Sequence, residues 1–277
     1  MSTSSHEIAG APCWVSLMTR DLEAAKRFYA GVLGWRFRAS GLGDGFAVAL
    51  REGTPVAGIG ALAEPLDVPV AWTPYFAVED ADVTAGRIRE RGATMAVGPL
   101  TFGTGRAGLA ADPAGAVFGF WEGAVVPDWS VGRGSAPAWL DLHTRDALAS
   151  SAFYGQVLGW AGEGPGRCVA SHEHDHVVLR HGSDDVAHIS GSAAEGTSDA
   201  AIRPRWRVHF PVPELEATIT SAVGRGGSVA SPVGTSAASR WVELADPDGA
   251  RFTVVAPQSL GGGTTRTADG RAGPALP

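Results

Sequence analysis

Five side chains able to move a proton or hold an anion fall in one half of this chain: Asp141 and His143, then His188, then Arg207 and His209. Alternate residues of a strand share a face. If 139–143 and 206–212 are strands, Asp141, His143, Arg207 and His209 therefore look into one space. A His beside an Asp can be oriented and poised as a general base near neutral pH. An Arg can hold a carboxylate, phenolate or enolate oxygen. The chemistry expected is proton transfer, with His143 or His209 as base, Asp141 as orienter, Arg207 as anion clamp and His188 beside them. The alternative is a non-standard metal site built from His143, His188 and His209, since three imidazoles suffice for zinc or iron. Seven of the eight His lie beyond residue 140, so either chemistry belongs to the second half.

What must position these groups is a repeat. Residues 11–37 and 136–162 align without gaps at an offset of 125, and fourteen of the twenty-seven positions are identical. A second echo sets the Asp112-Pro113 segment against Asp246-Pro247. A repeat this long is a whole domain rather than a solenoid unit. Each half then serves as a control for the other. Where the second half has Asp141, His143, His188, Arg207 and His209, the first has Ser16, Met18, Gly58, Thr73 and Tyr75. Trp14, Met18, Phe46, Thr73, Tyr75 and Trp121 predict an apolar, aromatic pocket suited to stacking on a flat organic molecule. Trp139, Trp206 and Thr253 are assigned to ligand binding on the same reasoning in the second half.

The hydrophobic period changes regularly along each half. A strand at Cys13–Met18 is followed by a helix from Asp21 to Gly34, with Leu22, Ala25, Phe28, Tyr29, Val32 and Leu33 on one face. Strands at Phe46–Leu50 and Val56–Leu62 come next. The order restarts with strand Trp72–Val78, helix Asp80–Arg91 and three further strands. The second half repeats this from Trp139 to Val255. The expected fold class is α+β: four tandem βαβββ units forming two cupped, mixed β-sheet domains with flanking helices. The domains are 11–122 and 136–257, joined by a linker at 123–135 and followed by a disordered tail at 258–277; 193–204 reads as a polar loop.

The Phe28-Tyr29, Val32-Leu33-Gly34-Trp35 signature, its copy at Phe153-Tyr154 and Val157-Leu158-Gly159-Trp160, and Asp-Pro-x-Gly near the end of each half resemble the vicinal oxygen chelate superfamily. That group includes glyoxalase I, bleomycin-resistance proteins and extradiol dioxygenases, and the chain is most similar to its two-domain, glyoxalase-like bacterial branch. The resemblance implies a U-shaped sheet round a pocket, and in most enzymes of the group a divalent metal within it. Counting from the helix-starting Asp and from Asp-Pro places the implied ligand positions at Trp14, Thr73 and Gly119, and at Trp139, Arg207 and Thr253. None carries the imidazole or carboxylate a metal needs, so no metal and no cofactor is expected.

The remaining signals are weaker. Ser171-His172-Glu173-His174-Asp175-His176 reads as a solvated hairpin tip, with its three His on one side of a strand. Gly103–Gly108 matches GxGxxG, but a strand rather than a helix follows, which rules out a dinucleotide site. The formal charge of −7 and the single lysine argue against nucleic acid as partner. No apolar run is long enough for a membrane, and the chain reads as cytoplasmic. Cys13 and Cys168 lie in no zinc spacing. The expected partner is a small, partly aromatic organic ligand, bound by a monomer or homodimer. Two functions follow: a binding protein of the antibiotic-sequestering kind, or a metal-independent isomerase, lyase or cyclase. A metal-dependent dioxygenase or lyase with a relocated His site is the third.

Overall fold

The computed structural model describes residues 4–103, 105–134, 136–160, 167–174, 176–191 and 203–258. Most of the loop expected at 193–204 and of the tail expected at 258–277 lies outside them. The first half contains β1 (Pro12–Met18), α1 (Leu22–Leu33), β2 (Arg36–Ala39), β3 (Phe46–Arg51) and β4 (Thr54–Gly60). These are followed by β5 (Ala71–Ala77), α2 (Ala81–Glu90), β6 (Thr94–Phe102), β7 (Gly105–Ala111) and β8 (Val117–Gly123). In the second half β9 (Trp139–His143), α3 (Ala147–Leu158), β10 (Cys168–Glu173), β11 (His176–His181) and β12 (Asp184–Ser190) form one unit. β13 (Arg205–Pro211), α4 (Leu215–Gly224), the two-residue strands β14 (Ser228–Val229) and β15 (Gly234–Thr235), β16 (Ser239–Ala245) and β17 (Arg251–Pro257) form the next.

Local chemistry accounts for the repeated motif. Asp21 caps α1 by accepting from Ala24 N at 2.9 Å, and Asp146 caps α3 by accepting from Ala149 N at 2.9 Å. Gly34 and Gly159 end these helices in the left-handed region, with φ of 70° and 79°, where a Cβ would be strained. The strand at Arg36–Ala39 is not evident from alternation; it forms as an edge partner of β3.

Each half is one sheet. The first has the order β2-β3-β4-β1-β5-β8-β7-β6 and the second β10-β11-β12-β9-β13-β17-β16-β14, with β15 on β16. The first strands of paired units meet antiparallel, β1 on β5 and β9 on β13, while each pairs in parallel with the last strand of its own unit. Alternation then sorts the side chains. Val15, Leu17, Trp72, Phe76, Leu140, Leu142, Trp206, Val208 and Phe210 are buried on the face away from the cup. Trp14, Ser16, Met18, Thr73 and Tyr75, and Trp139, Asp141, His143, Arg207 and His209, take the other.

The two halves pack through those apolar backs. Phe76 meets Trp206 at 5.3 Å between ring centroids, and Phe210 lies 5.0 Å from Trp72 and 5.1 Å from Trp35. The cups therefore open away from the joint. Residues 123–135 are more than a tether: Val125, Trp129 and Val131 are buried, and Trp129 donates its indole N–H to the Val56 carbonyl. Among the described residues, no helix is long and apolar enough to cross a membrane.

Candidate functional site

The cup of the first half holds a cavity of about 440 Å³. Trp14, Met18, Phe46, Tyr75 and Trp121 line it, as the alternation predicts, together with Ser16 and Gly58. Thr73 shares their face but is buried beneath the wall, in register with Ser16. Three glycines let aromatic rings lie flat against the sheet. A Cβ on Gly119 would come within 2.4 Å of the Tyr75 ring, one on Gly60 within 2.4 Å of Phe46, and one on Gly105 within 2.5 Å of Trp121. The second unit and the loops contribute lining that periodicity alone did not identify: Leu62, Leu66, Val97, Phe102 and Leu109. Strand placement in β6 and β7 accounts for Val97, Phe102 and Leu109; Leu62 and Leu66 follow from a loop path that no motif encodes.

Cys13 also lines this cavity. It sits at a register break between Pro12 and Trp14, where an extra residue disturbs the ladder. Burial pushes its thiol up to about 12, so it stays protonated and inert as a nucleophile. Burial likewise raises the Tyr75 phenol above its ordinary range. Arg38 reaches the cavity from an exposed position on the rim. The first cup is thus apolar and uncharged within.

The second cup differs in kind. Across neighbouring strands Trp139, His209 and Thr253 stand level, and so do His188, Asp141 and Arg207. Arg207 lies 3.7 Å from the Asp141 carboxylate, whose other oxygen accepts from Ser190 Oγ at 2.9 Å. His143 is buried opposite Arg205. Arg205 binds both oxygens of Glu243, at 2.8 and 3.0 Å, and Arg251 joins the same carboxylate at 3.1 Å. This Arg205–Glu243–Arg251 group was not evident in the sequence, because it joins three strands.

His209 stacks on Trp139 at 4.6 Å, and neither ring nitrogen has a hydrogen-bond partner among the described residues. Burial, with Arg207 and His188 nearby, depresses it to about 3. An imidazole with so little affinity for a proton is a poor general base at neutral pH, which counts against His209 in that role. His188 is depressed too, chiefly by burial.

Two further expectations are corrected. Trp206 does not reach the cup. It alternates with Arg205 and Arg207, so it faces the joint between the halves, where it donates to Tyr154 Oη at 3.0 Å. The His-rich run does not present its three His on one side of a strand. The chain turns at His174, with φ of 51°. His172 and His174 are exposed, and only His176 approaches the cup, 5.9 Å from His188.

The register also revises the implied metal positions. Tyr75, not Thr73, stands level with Trp14 and Gly119, and His209, not Arg207, stands level with Trp139 and Thr253. One row offers a phenol and an indole, the other an indole, one imidazole and one hydroxyl. Among the described residues, no group of three or more His, Cys, Asp and Glu is placed to hold a metal ion. These side chains do not fit the metal that the fold implies.

Paired βαβββ units curved round a cup, twice over in one chain, define a vicinal oxygen chelate fold. Family models agree: residues 13–120 match the glyoxalase/bleomycin resistance protein/dioxygenase superfamily and residues 138–255 a glyoxalase-like domain. The chain belongs to this superfamily. It is 32% identical over 269 residues to the anthracycline biosynthesis protein DnrV of Streptomyces peucetius, covering 89% of this chain and 93% of that one. It is 30% identical over 260 residues to CFP32 of Mycobacterium tuberculosis, provisionally named a glyoxylase, covering 90% and 95%. Among solved structures it resembles the Mn(II)-bound glyoxalase from Novosphingobium aromaticivorans, with a TM-score of 0.56, 15% identity, and coverage of 90% and 82%. That likeness is one of fold.

Proposed function

We propose that this protein binds a planar, largely apolar ring compound in its first cup, without the metal usual for its superfamily. The observation that carries this reading is the 440 Å³ cavity walled by Trp14, Phe46, Tyr75 and Trp121, with its one cation on the rim. Flat rings and an uncharged interior favour stacking and dispersion over ionic recognition. Similarity to proteins named for anthracycline biosynthesis supports a polycyclic aromatic ligand. The test is equilibrium dialysis with fluorene, a rigid three-ring hydrocarbon. Saturable binding is expected, and Gly119→Val, which drives the Tyr75 ring into the cavity, should abolish it. Equal binding by the variant would refute the placement.

The second cup supports a second, compatible reading: metal-free proton transfer of the isomerase, lyase or cyclase type. The paired Asp141 and Arg207 beside buried His143 favour it. In this reading His143 takes the proton, Asp141 orients, and Arg207 holds the developing oxyanion. A pure sequestering protein would keep its biological effect in His143→Ala. An enzyme would lose turnover by about 10²–10⁴-fold while still binding.

A further inference from the structure

We infer that the ligand of the first cup carries a neutral, carbonyl-type acceptor oxygen, and that the Trp14 indole N–H and the Ser16 hydroxyl read it at Gly58. This rests on the first cup being the binding site. Gly58 pairs with Ser16 across β1 and β4 and with Val48 across β3 and β4. Where a Cβ on Gly58 would sit, Ser16 Oγ is 2.6 Å away and Trp14 Nε1 3.0 Å away. The two donors thus lie no more than about 5.6 Å apart on the wall of the cavity, within reach of a single oxygen bound beside them.

Neither donor has a protein acceptor among the described residues. Several other indoles do, though not Trp35, Trp139 or Trp241: Trp72 donates to Tyr29, Trp121 to the Ala124 carbonyl, Trp129 to the Val56 carbonyl and Trp160 to the Gly10 carbonyl. Both atoms face the cavity rather than being sealed in the core, so a ligand that covers them must supply an acceptor or leave them unpaired, at a cost above what a typical hydrogen bond gains. An indole N–H can only donate, so its partner must bring an acceptor. Tyr75, level with Trp14 across the strands, also has a hydroxyl without a protein partner among the described residues.

The charge of that acceptor follows from the surroundings. Among the described residues no Asp, Glu or His lines the cavity, and Arg38 is exposed at the rim. An anionic oxygen placed at Gly58 would be desolvated without a counter-ion, at a cost far above what two neutral donors return. A ketone or quinone oxygen on a flat ring system meets both conditions. In the second half the matching positions are Trp139, Asp141 and His188, so an acceptor and a titratable ring replace the donor and the gap. The donor pair beside a glycine is therefore not repeated at these positions of the second half.

The experiment compares fluorene with 9-fluorenone, which share a skeleton and differ by the one oxygen. By equilibrium dialysis, fluorenone should bind about tenfold tighter than fluorene, although it partitions less readily out of water. Ser16→Ala removes a hydroxyl and no ring, and should cut that preference about threefold or more; Trp14→Phe should reduce it again. Equal affinities in the wild type, or a preference unaltered in both variants, would overturn the inference. If fluorene binds saturably and Gly119→Val blocks it while the preference is absent, the acceptor assignment alone fails. If neither compound binds saturably, the first-cup reading fails, and this inference with it.

Discussion

Tyr29 and Asp246 belong to different halves of the chain, yet the phenol donates to the buried carboxylate at 3.0 Å. The relation is reciprocal: Tyr154 of the second half donates to Asp112 of the first at 3.1 Å. Each phenol also accepts an indole N–H, from Trp72 at 2.9 Å and from Trp206 at 3.0 Å. Each carboxylate in turn accepts backbone N–H groups of its own turn, Asp112 from Ala114 and Ala116, Asp246 from Asp248 and Ala250. The Phe-Tyr and Asp-Pro-x-Gly motifs are thus two ends of one buried bond, and their repetition serves the joint between domains rather than the chemistry of the cups.

Tyr29→Phe should therefore destabilise the protein by about 1–3 kcal/mol, because it leaves both the Trp72 N–H and an Asp246 oxygen without that partner. Tyr154→Phe should do the same. Urea titration measures the loss. Fluorene binding should not change in either variant, since both phenols face away from the cups.

His209 predicts an acid-sensitive fold. Its folded pKa of about 3 lies below the ordinary 6.5, so below pH 6.5 the unfolded chain takes up a proton that the folded one refuses. The stability from this neutral imidazole is complete above that pH and is lost as pH falls toward 3, at about 1.4 kcal/mol per pH unit. Urea midpoints at pH 7, 5 and 4 should fall less steeply in His209→Gln. Parallel profiles would refute the assignment.

Trp206→Phe and Trp121→Phe should part in their effects. The first removes an indole that bonds Tyr154 and packs on Phe76, so it should lower the thermal midpoint with fluorene affinity kept. The second removes cavity wall and should weaken fluorene binding about threefold or more, with a smaller change in stability. The reverse pattern would place the ligand elsewhere.

Metal content tests the donor-set argument directly. Purified protein incubated with Fe(II), Zn, Mn or Ni should retain less than about a tenth of an equivalent by elemental mass spectrometry. Near-stoichiometric metal that disappears in His143→Ala or His209→Ala would establish a relocated site in the second cup.

The repeat, the capping Asp, the terminal Gly and the alternation in 12–18 and 139–143 are local patterns, and they sufficed for the four-unit fold and for five residues of the wall: Trp14, Met18, Phe46, Tyr75 and Trp121. Alternation also separated Arg207 and His209 from the core. What it left undecided was register. Only pairing across β1, β5 and β8, and across β9, β13 and β17, decided that Tyr75 and His209 rather than Thr73 and Arg207 complete the rows, because strand offset depends on bulges and turns outside any one strand. Trp206 was legible as aromatic but not as interfacial, since nothing in one strand tells which of its faces meets a second domain. The Tyr29–Asp246 bond, the Arg205–Glu243–Arg251 group and the donor pair at Gly58 join residues distant in sequence. Tertiary structure alone decided them, because such contacts form between side chains that only the packed sheets bring together.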